Sequence, residues 1–339
     1  MPNSTLKTTT NGARTKNAQK SRKIWLITPV ILIIILILFL TNKTAVIDWF
    51  KGIGYNPTPA MLEVKNSLNL TPEGDRIFRA TRALLASRDD FNNSCESHDE
   101  AVSVLGCYTG DRIYVYNVED ETLKGIREST SAHELLHAVW TRLTGLEKSK
   151  LVPLLESTYQ KHPEMQETIE SYPEEERIGE LYVRLATQVK DLPETLESHY
   201  AKYFTNQDAV VAFYDSYIAP FNELKAQIEK LRKELDALEK EIKDRSDALD
   251  ARLKTFDEDV DEFNSCADTA GCFTSNYAFA SRRAELVAEQ TAINAENSSL
   301  NSLIDEYNQK ADVYNSSIAR SSDLQNLINS NSPTSKIEE

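Results

Sequence analysis

The carboxyl-terminal third of the chain carries a hydrophobic repeat that is typical of long paired helices. From residue 221 onward, apolar residues return mostly at steps of three and four, with charged residues between them, which is the pattern of a coiled coil. The spacing predicts two long helices over residues 221–330, folded back as an antiparallel coiled-coil hairpin; pairing between chains is the alternative. The first helix carries Leu224, Ile228, Leu231, Leu235, Leu238, Ile242, Leu249, Leu253, Phe256, Val260 and Phe263, and the second carries Leu286, Ile293, Leu300, Tyr307, Tyr314 and Ile328.

A second constraint lies near the amino terminus. Residues 24–40 form an almost unbroken apolar run, which at about 1.5 Å per helical residue nearly spans the hydrocarbon core of a bilayer. The run is longer than the core of a typical cleavable signal peptide, and no small-x-small cleavage pattern follows it. We therefore expect a single-pass transmembrane anchor over residues 24–42.

The charges around this run predict its orientation. Six of the 38 Lys and Arg residues precede it, whereas all 53 Asp and Glu residues follow it. By the positive-inside rule, the amino-terminal tail lies in the cytoplasm and the rest of the chain is exoplasmic, at the cell membrane. The net charge of -15 argues against nucleic acid as a partner, because binding phosphates needs a basic surface.

Four cysteines fall as two close pairs, each flanked by turn-forming residues. In an exported domain such pairs are typical of disulfide-closed loops, so we expect Cys95 to pair with Cys107 and Cys266 with Cys272. Four cysteines allow three connectivities, and the sequence is compatible with the crossed ones as well. Zinc binding is the other alternative, although neither pair has C-x-x-C spacing.

The spacing of apolar residues predicts the helices, the strand and the domain boundaries in the rest of the chain. Within residues 71–220 we expect a helical stretch from Thr71 through Phe91, one strand over residues 111–118, and helices at 149–160, at 165–171 and after Pro173. The sequence thus predicts a mainly α protein with a small α+β domain. The boundaries are 1–23 for a basic cytoplasmic tail, 43–70 for a juxtamembrane connector, 71–220 for the α+β domain, and 331–339 for a flexible tail.

One short run points to catalytic chemistry. His133, Glu134 and His137 form a His-Glu-x-x-His motif in an apolar stretch, and residues four apart share one face of a helix. Both imidazoles can therefore bind one zinc ion, with Glu134 placed to take a proton from water as a general base. The alternative is an ordinary amphipathic helix that begins with a capping box, Ser131-x-x-Glu134.

A catalytic zinc takes three protein ligands and keeps one position open. The chain resembles the gluzincin superfamily of zinc metallopeptidases, which includes thermolysin, at residues 131–138, at the preceding strand and at a glutamate-rich helix about forty residues downstream. That resemblance implies a zincin-like domain whose third ligand is a glutamate of the later helix. Glu180 is the first choice because it lies among apolar residues, and Glu176, in the acidic first turn, is the second. The other candidate ligands are His98, His162 and His199.

The same region is also similar to a group of membrane-anchored bacterial proteins. Their later helix resembles Asn-Glu-Leu-His and is followed by a Leu-Pro segment and an aromatic-rich segment. The chain departs from this pattern at Gly179, which replaces asparagine, and at Tyr182, which replaces histidine. The corresponding segments here are Gly179-Glu180-Leu181-Tyr182, Asp191-Leu192-Pro193 and His199-Tyr200-Ala201-Lys202-Tyr203-Phe204.

Together these features predict a membrane-anchored, exoplasmic zinc metallopeptidase that hydrolyses a peptide or protein substrate. Tyr200 or Tyr203 is a candidate donor to the developing oxyanion. The strand at residues 113–118 is a candidate for binding an extended substrate along its edge. The coiled coil is expected to bind a partner or a second copy of the chain.

Two other hypotheses remain at this point. In one, the chain is a non-catalytic envelope spacer or adhesion protein, in which the coiled coil carries the function and the zinc site is relict or structural. In the other, the enzyme cleaves the peptide crosslinks of a cell wall, which requires a cleft open enough for branched substrates.

Overall fold

The computed structural model describes residues 3–5, 7–8, 43–95 and 105–330. The predicted anchor at 24–42 and the predicted tail at 331–339 lie outside these residues, as does most of the tail at 1–23. Among the described residues, no helix combines the length and the hydropathy needed to cross a membrane. The described chain is mainly helical and falls into two compact units, the first formed by residues up to 117 with residues 125–214, the second by residues 118–124 with residues 215–330.

The first unit begins with three short helices, α1 (Lys43–Gly52), α2 (Pro59–Ser67) and α3 (Pro72–Ala80). Thr58 and Thr71 cap α2 and α3 through their side-chain oxygens, and a proline follows each cap, which is where proline favours a helix start. Residues 43–70 are therefore not only a connector. They add fully buried side chains to the core, Met61 and Val64 among them.

A three-stranded sheet follows, built from β1 (Leu84–Ala86), β2 (Gly106–Thr109) and β3 (Arg112–Tyr116), with helix α4 (Arg88–Ser94) after β1. The strand order is β1-β3-β2, with β1 parallel and β2 antiparallel to β3. The strand expected at 111–118 is confirmed as β3. The single helical stretch expected through Phe91 is wrong, because its apolar residues Leu84 and Leu85 pair with β3 instead.

Five helices complete the first unit, and their apolar faces pack with the sheet into one core. The motif lies on α5, and a capping box formed by Thr144 and Glu147 starts α6. The helices expected at 149–160, at 165–171 and after Pro173 correspond to α6, α7 and α8. The bounds are α5 (Ile126–Arg142), α6 (Gly145–Tyr159), α7 (Gln166–Glu170), α8 (Glu174–Gln188) and α9 (Glu194–Tyr200).

Two long helices, α10 (Gln207–Ala267) and α11 (Asn276–Ile328), form most of the second unit. Arg252 pairs with Glu289 on the other helix, and Arg245 pairs with Glu296. The residue numbers rise along one helix as they fall along the other, so the two helices run antiparallel. The hairpin predicted within one chain is confirmed, with a seam that includes Leu249, Ile293 and Leu300.

Both expected disulfides are present. Cys95 is bonded to Cys107, which ties the end of α4 to β2, and Cys266 is bonded to Cys272 at the tip of the hairpin. The local pairing is therefore confirmed, and the crossed connectivities and zinc binding by these cysteines are wrong.

Candidate metal centre

Two helices bring the motif and the later glutamate together. His133 and His137 lie one turn apart on α5, and Glu180 lies on α8, which packs against α5. The contact between the helices is close because Gly179 faces Trp140: a Cβ at residue 179 would lie 3.3 Å from the indole Nε1. Gly179 thus leaves room for the indole of Trp140 at the residue next to Glu180 in sequence.

The three side chains converge on one point. The Nε2 atoms of His133 and His137 are 3.1 Å apart, and the carboxylate oxygens of Glu180 lie 3.0 Å from His137 Nε2 and 3.7 Å from His133 Nε2. Ligand atoms about 2.1 Å from a tetrahedral ion are about 3.4 Å from one another. His133, His137 and Glu180 therefore form a group that could hold a metal ion.

The ionisation of the group suits a metal. Burial lowers the pKa of His133 to about 3. The charge of Glu180 acts to raise this pKa, and the charges of His137 and Arg184 act to lower it further. Burial also acts to raise the pKa of Glu180, but the hydrogen bond with His137 and the charges of both histidines bring it down to about 2. Near neutral pH the site therefore offers a carboxylate and the free lone pair of His133, the forms in which these groups bind metals.

His137 behaves differently from His133. Burial acts to lower its pKa, but the hydrogen bond with Glu180 and the charges of Glu134 and Glu180 outweigh burial and raise it. A metal ion binds the neutral imidazole, so the raised pKa of His137 means that protons compete with a metal for this ligand as the pH falls.

The choice between the two candidate glutamates follows from their positions. Glu180 is 8 % exposed and belongs to the group, whereas Glu176, one turn earlier on α8, is exposed to solvent. Arg184, one turn after Glu180, donates to its carboxylate at 3.2 Å and to the hydroxyl of Tyr172 at 2.8 Å. Arg184 and Tyr172 thus fix the orientation of the carboxylate, as partners of metal ligands commonly do.

Glu134 lies inside α5, not at its start. The helix begins at Ile126, so Ser131 and Glu134 do not form a capping box, and that part of the alternative interpretation is wrong. Glu134 is 5 % exposed, and β2 passes directly against it. A Cβ at Gly106 would lie 2.8 Å from Oε1 of Glu134, so only glycine lets the strand approach the carboxylate this closely.

The strand expected at the edge of the sheet is not an edge strand; β1 and β2 are the edge strands. β3 is the central strand, so the prediction that residues 113–118 bind an extended chain by edge addition is wrong. Tyr116 donates its N–H to the carbonyl of Leu105, and in an antiparallel pair the residues between such bonded pairs point their backbone groups the other way. Gly106 and Tyr108 therefore direct theirs away from β3, along the outer edge of β2, and Gly106 is the residue of this strand that meets Glu134.

The aromatic segment of α9 lies in the core. The hydroxyl of Tyr200 donates to the backbone carbonyl of Tyr182 at 2.7 Å, and both residues are fully buried. This hydroxyl is therefore committed elsewhere, and Tyr200 is wrong as an oxyanion donor. His199 shares a 3.0 Å hydrogen bond with the hydroxyl of Tyr182 and packs on the ring of Tyr203, so it serves this cluster.

Neither His162 nor His199 belongs to the group. His162 is 2.8 Å from the Glu164 carboxylate, and His98 lies outside the described residues. The sequence interpretation missed Arg184, Tyr172 and Gly106. The position of Arg184 four residues after Glu180 was a readable signal, whereas nothing local in the sequence indicates that Gly106 meets Glu134.

Comparison of the chain with protein-family models, with curated proteins and with solved structures found no match in any of the three.

Proposed function

We propose that this protein is a membrane-anchored zinc metallopeptidase that hydrolyses peptide bonds. One observation carries the proposal: the imidazoles of His133 and His137 converge with the carboxylate of Glu180, and a buried Glu134 lies between the two histidines in sequence. Two imidazoles and one carboxylate form the ligand set of thermolysin-type catalytic zinc, which leaves a fourth position open.

The roles of the residues follow from their chemistry. His133, His137 and Glu180 would hold the ion, and a bound zinc ion would polarise a peptide carbonyl and acidify a water molecule. Glu134 would accept the proton of that water and pass it to the leaving amine, as a general base and then a general acid. Arg184 would keep the carboxylate of Glu180 oriented.

The edge of β2 supports a peptide as the substrate. Gly106, which meets Glu134, and Tyr108 direct backbone groups away from β3, and an extended chain would pair with such an edge by main-chain hydrogen bonds. The interaction recognises any backbone, so side-chain specificity would come from the surrounding residues.

The location of the enzyme is part of the proposal. The apolar run at residues 24–40 would anchor the chain, with the amino terminus in the cytoplasm and the two described units outside. The disulfides Cys95–Cys107 and Cys266–Cys272 support this orientation, because such bonds persist in oxidising compartments.

The proposal is tested by zinc content and peptide hydrolysis in the purified, oxidised full chain. We expect one zinc per chain and cleavage of unstructured peptides. Glu180→Ala is expected to lower zinc affinity by about 100-fold or more, with hydrolysis lost at limiting zinc. Glu176→Ala, on the exposed face of the same helix, is the matched control and is expected to keep both. A folded wild type that stays free of metal in zinc-containing buffer would overturn the proposal.

The hairpin favours a second candidate function, that of an envelope spacer or adhesion protein. Helices α10 and α11 are 61 and 53 residues long, which is more chain than a metal site requires, and ion pairs such as Lys310–Glu234 join them. The two functions separate in one comparison: a spacer would keep its cellular role when Glu134 is replaced by glutamine, and a peptidase would lose it.

A further inference from the structure

Helix α1 has two unlike faces. One face is fixed to the first unit: Asp48, 3 % exposed, accepts hydrogen bonds from the guanidinium groups of Arg142 and Arg76 at 3.0 Å. The other face carries large apolar side chains in water, with Trp49 59 % exposed and Phe50 62 % exposed. Ile53 in the turn after the helix is 51 % exposed and continues this surface.

Such a surface needs an explanation. Single exposed apolar residues are ordinary, but adjacent exposed aromatic and aliphatic side chains are typical of an interaction site. The rings of Trp49 and Phe50 pack edge to face, with 4.9 Å between their centroids. We name the exposed side chains of Trp49, Phe50 and Ile53 the aromatic face of α1.

The position of α1 along the chain indicates what covers this face. The apolar run ends at Leu40, and α1 begins at Lys43. If the run crosses a bilayer, the two intervening residues hold the start of α1 within about 10 Å of the end of the run. Trp side chains are enriched at that depth, where one part of the ring contacts lipid and the N–H contacts water.

The charges beside the aromatic face fit the same partner. An open cleft of about 560 Å³ next to the end of α1 is lined by Lys51, Arg82, Arg112 and Asp111. Lys51 is paired with Asp111 at 2.5 Å, so the net positive charge of the cleft comes from the two arginines. Arg82 is bound to the carbonyls of Lys51 and Ile53, which joins the cleft to the aromatic face. A locally basic surface on a chain with a net charge of -15 suits anionic lipid headgroups.

We propose that the aromatic face of α1 and its basic cleft form a membrane-interface surface that seats the first unit directly on an anionic bilayer. The proposal rests on the membrane anchor in the proposed function but not on catalysis. Because Asp48 fixes α1 to α3 and α5 through Arg76 and Arg142, the helix that carries the motif would have a set orientation toward the membrane.

Tryptophan quenching by lipid tests the proposal. The chain has three tryptophans, so the full chain with Trp25→Phe, in vesicles of phosphatidylcholine and phosphatidylglycerol, reports only Trp49 and Trp140. The variant that also carries Trp49→Phe is the matched control, in which only Trp140, packed on Tyr182 in the first unit, emits. We expect lipids brominated near the headgroup to remove about half or more of the Trp49 emission and to leave that of Trp140 unchanged.

The outcomes separate cleanly. Trp49 emission that brominated lipid leaves unchanged would overturn the proposal, whether acrylamide reaches the ring, which indicates water, or does not, which indicates a protein partner. Weaker quenching in vesicles without phosphatidylglycerol is expected, and equal quenching would overturn the part assigned to the basic cleft. Flotation of the chain with vesicles after an alkaline wash tests the anchor separately, and neither readout needs zinc or hydrolysis.

Discussion

The two units of the chain differ in what their interiors contain. The first unit encloses a broad apolar core together with buried charged groups, Asp48, Glu134 and Glu180 among them. The second has a thin seam in which Leu249, Ile293 and Leu300 retain 6–7 % exposure, with ion pairs along its sides. Buried charges are retained at a cost in stability, and among the described residues that cost is concentrated in the first unit, where the metal site is proposed.

Asp48→Ala is expected to cause the largest difference in stability between the two units. The substitution leaves Arg142 and Arg76 without their shared buried carboxylate, and breaking a buried pair typically costs about 3–5 kcal/mol of folding free energy. Chemical unfolding followed by hydrogen exchange should locate this loss in the first unit, while the hairpin keeps its protection. A loss below about 1 kcal/mol would show that this pair behaves like a surface ion pair.

A matched pair of core truncations sharpens the comparison. Leu155 in α6 is fully buried, whereas Ile293 is 6 % exposed in the hairpin seam. We expect Leu155→Ala to cost about 3 kcal/mol and Ile293→Ala about half of that, because the seam can collapse and has fewer neighbours to lose. Hydrogen exchange resolved by unit measures both, and equal losses would mean that the seam packs as densely as the core.

Acid should weaken the first unit through His199. Burial, reinforced by the charge of Lys202, lowers the pKa of His199 to about 4, compared with about 6.5 in an unfolded chain. As the pH falls from about 6.5 to 4, the unfolded chain takes up a proton that the folded chain does not. Stability is therefore present above pH 6.5 and is lost toward pH 4.

The variant His199→Gln isolates this contribution, since other groups also titrate at low pH. We expect the wild type to lose up to about 2 kcal/mol more than His199→Gln between pH 7 and pH 4, after allowance for solvent screening. Parallel stability profiles for the two proteins would contradict a neutral, buried His199.

The smallest effect is expected in the hairpin. Arg252 and Glu289 pair across the helices at an exposed position, where salt and water screen the attraction. We expect Arg252→Gln to shift the Tm of the hairpin by less than about 2 °C, with the difference vanishing at high salt. A larger, salt-resistant shift would mean that ion pairs, not the apolar seam, hold the hairpin together.

The two units also differ in how much of their structure can be predicted from the sequence. The hairpin was predictable because its signal is local: the repeat from Leu224 to Phe263 specifies a seam on one helix, and the short loop between Cys266 and Cys272 brings the second helix back. The motif was likewise predictable, since it lies within a single helix. A glutamate of the later helix was implied by the resemblance to the gluzincin superfamily, and the apolar neighbours of Glu180 favoured it over Glu176.

What the sequence did not predict depends on contacts between distant segments. Leu84 and Leu85 have helical spacing but form β1, because β3 offers them a hydrogen-bonded partner. Strands as short as β1 and β2 leave little pattern in a sequence. The helices within residues 43–70 and the burial of the aromatic side chains of α9 were also not predicted. Both depend on contacts with distant segments, and the partners of the α9 side chains lie on α8.

The most direct test of the account compares zinc content and peptide hydrolysis in the full chain and in Glu134→Gln. Glutamine keeps the size of the buried side chain but cannot accept the proton, and Glu134 is not one of the three ligands. The account predicts full zinc occupancy in both proteins and a fall in kcat of about 100-fold or more in the variant. Hydrolysis that survives Glu134→Gln with zinc bound would contradict the central claim, that Glu134 acts as the base beside a metal held by His133, His137 and Glu180.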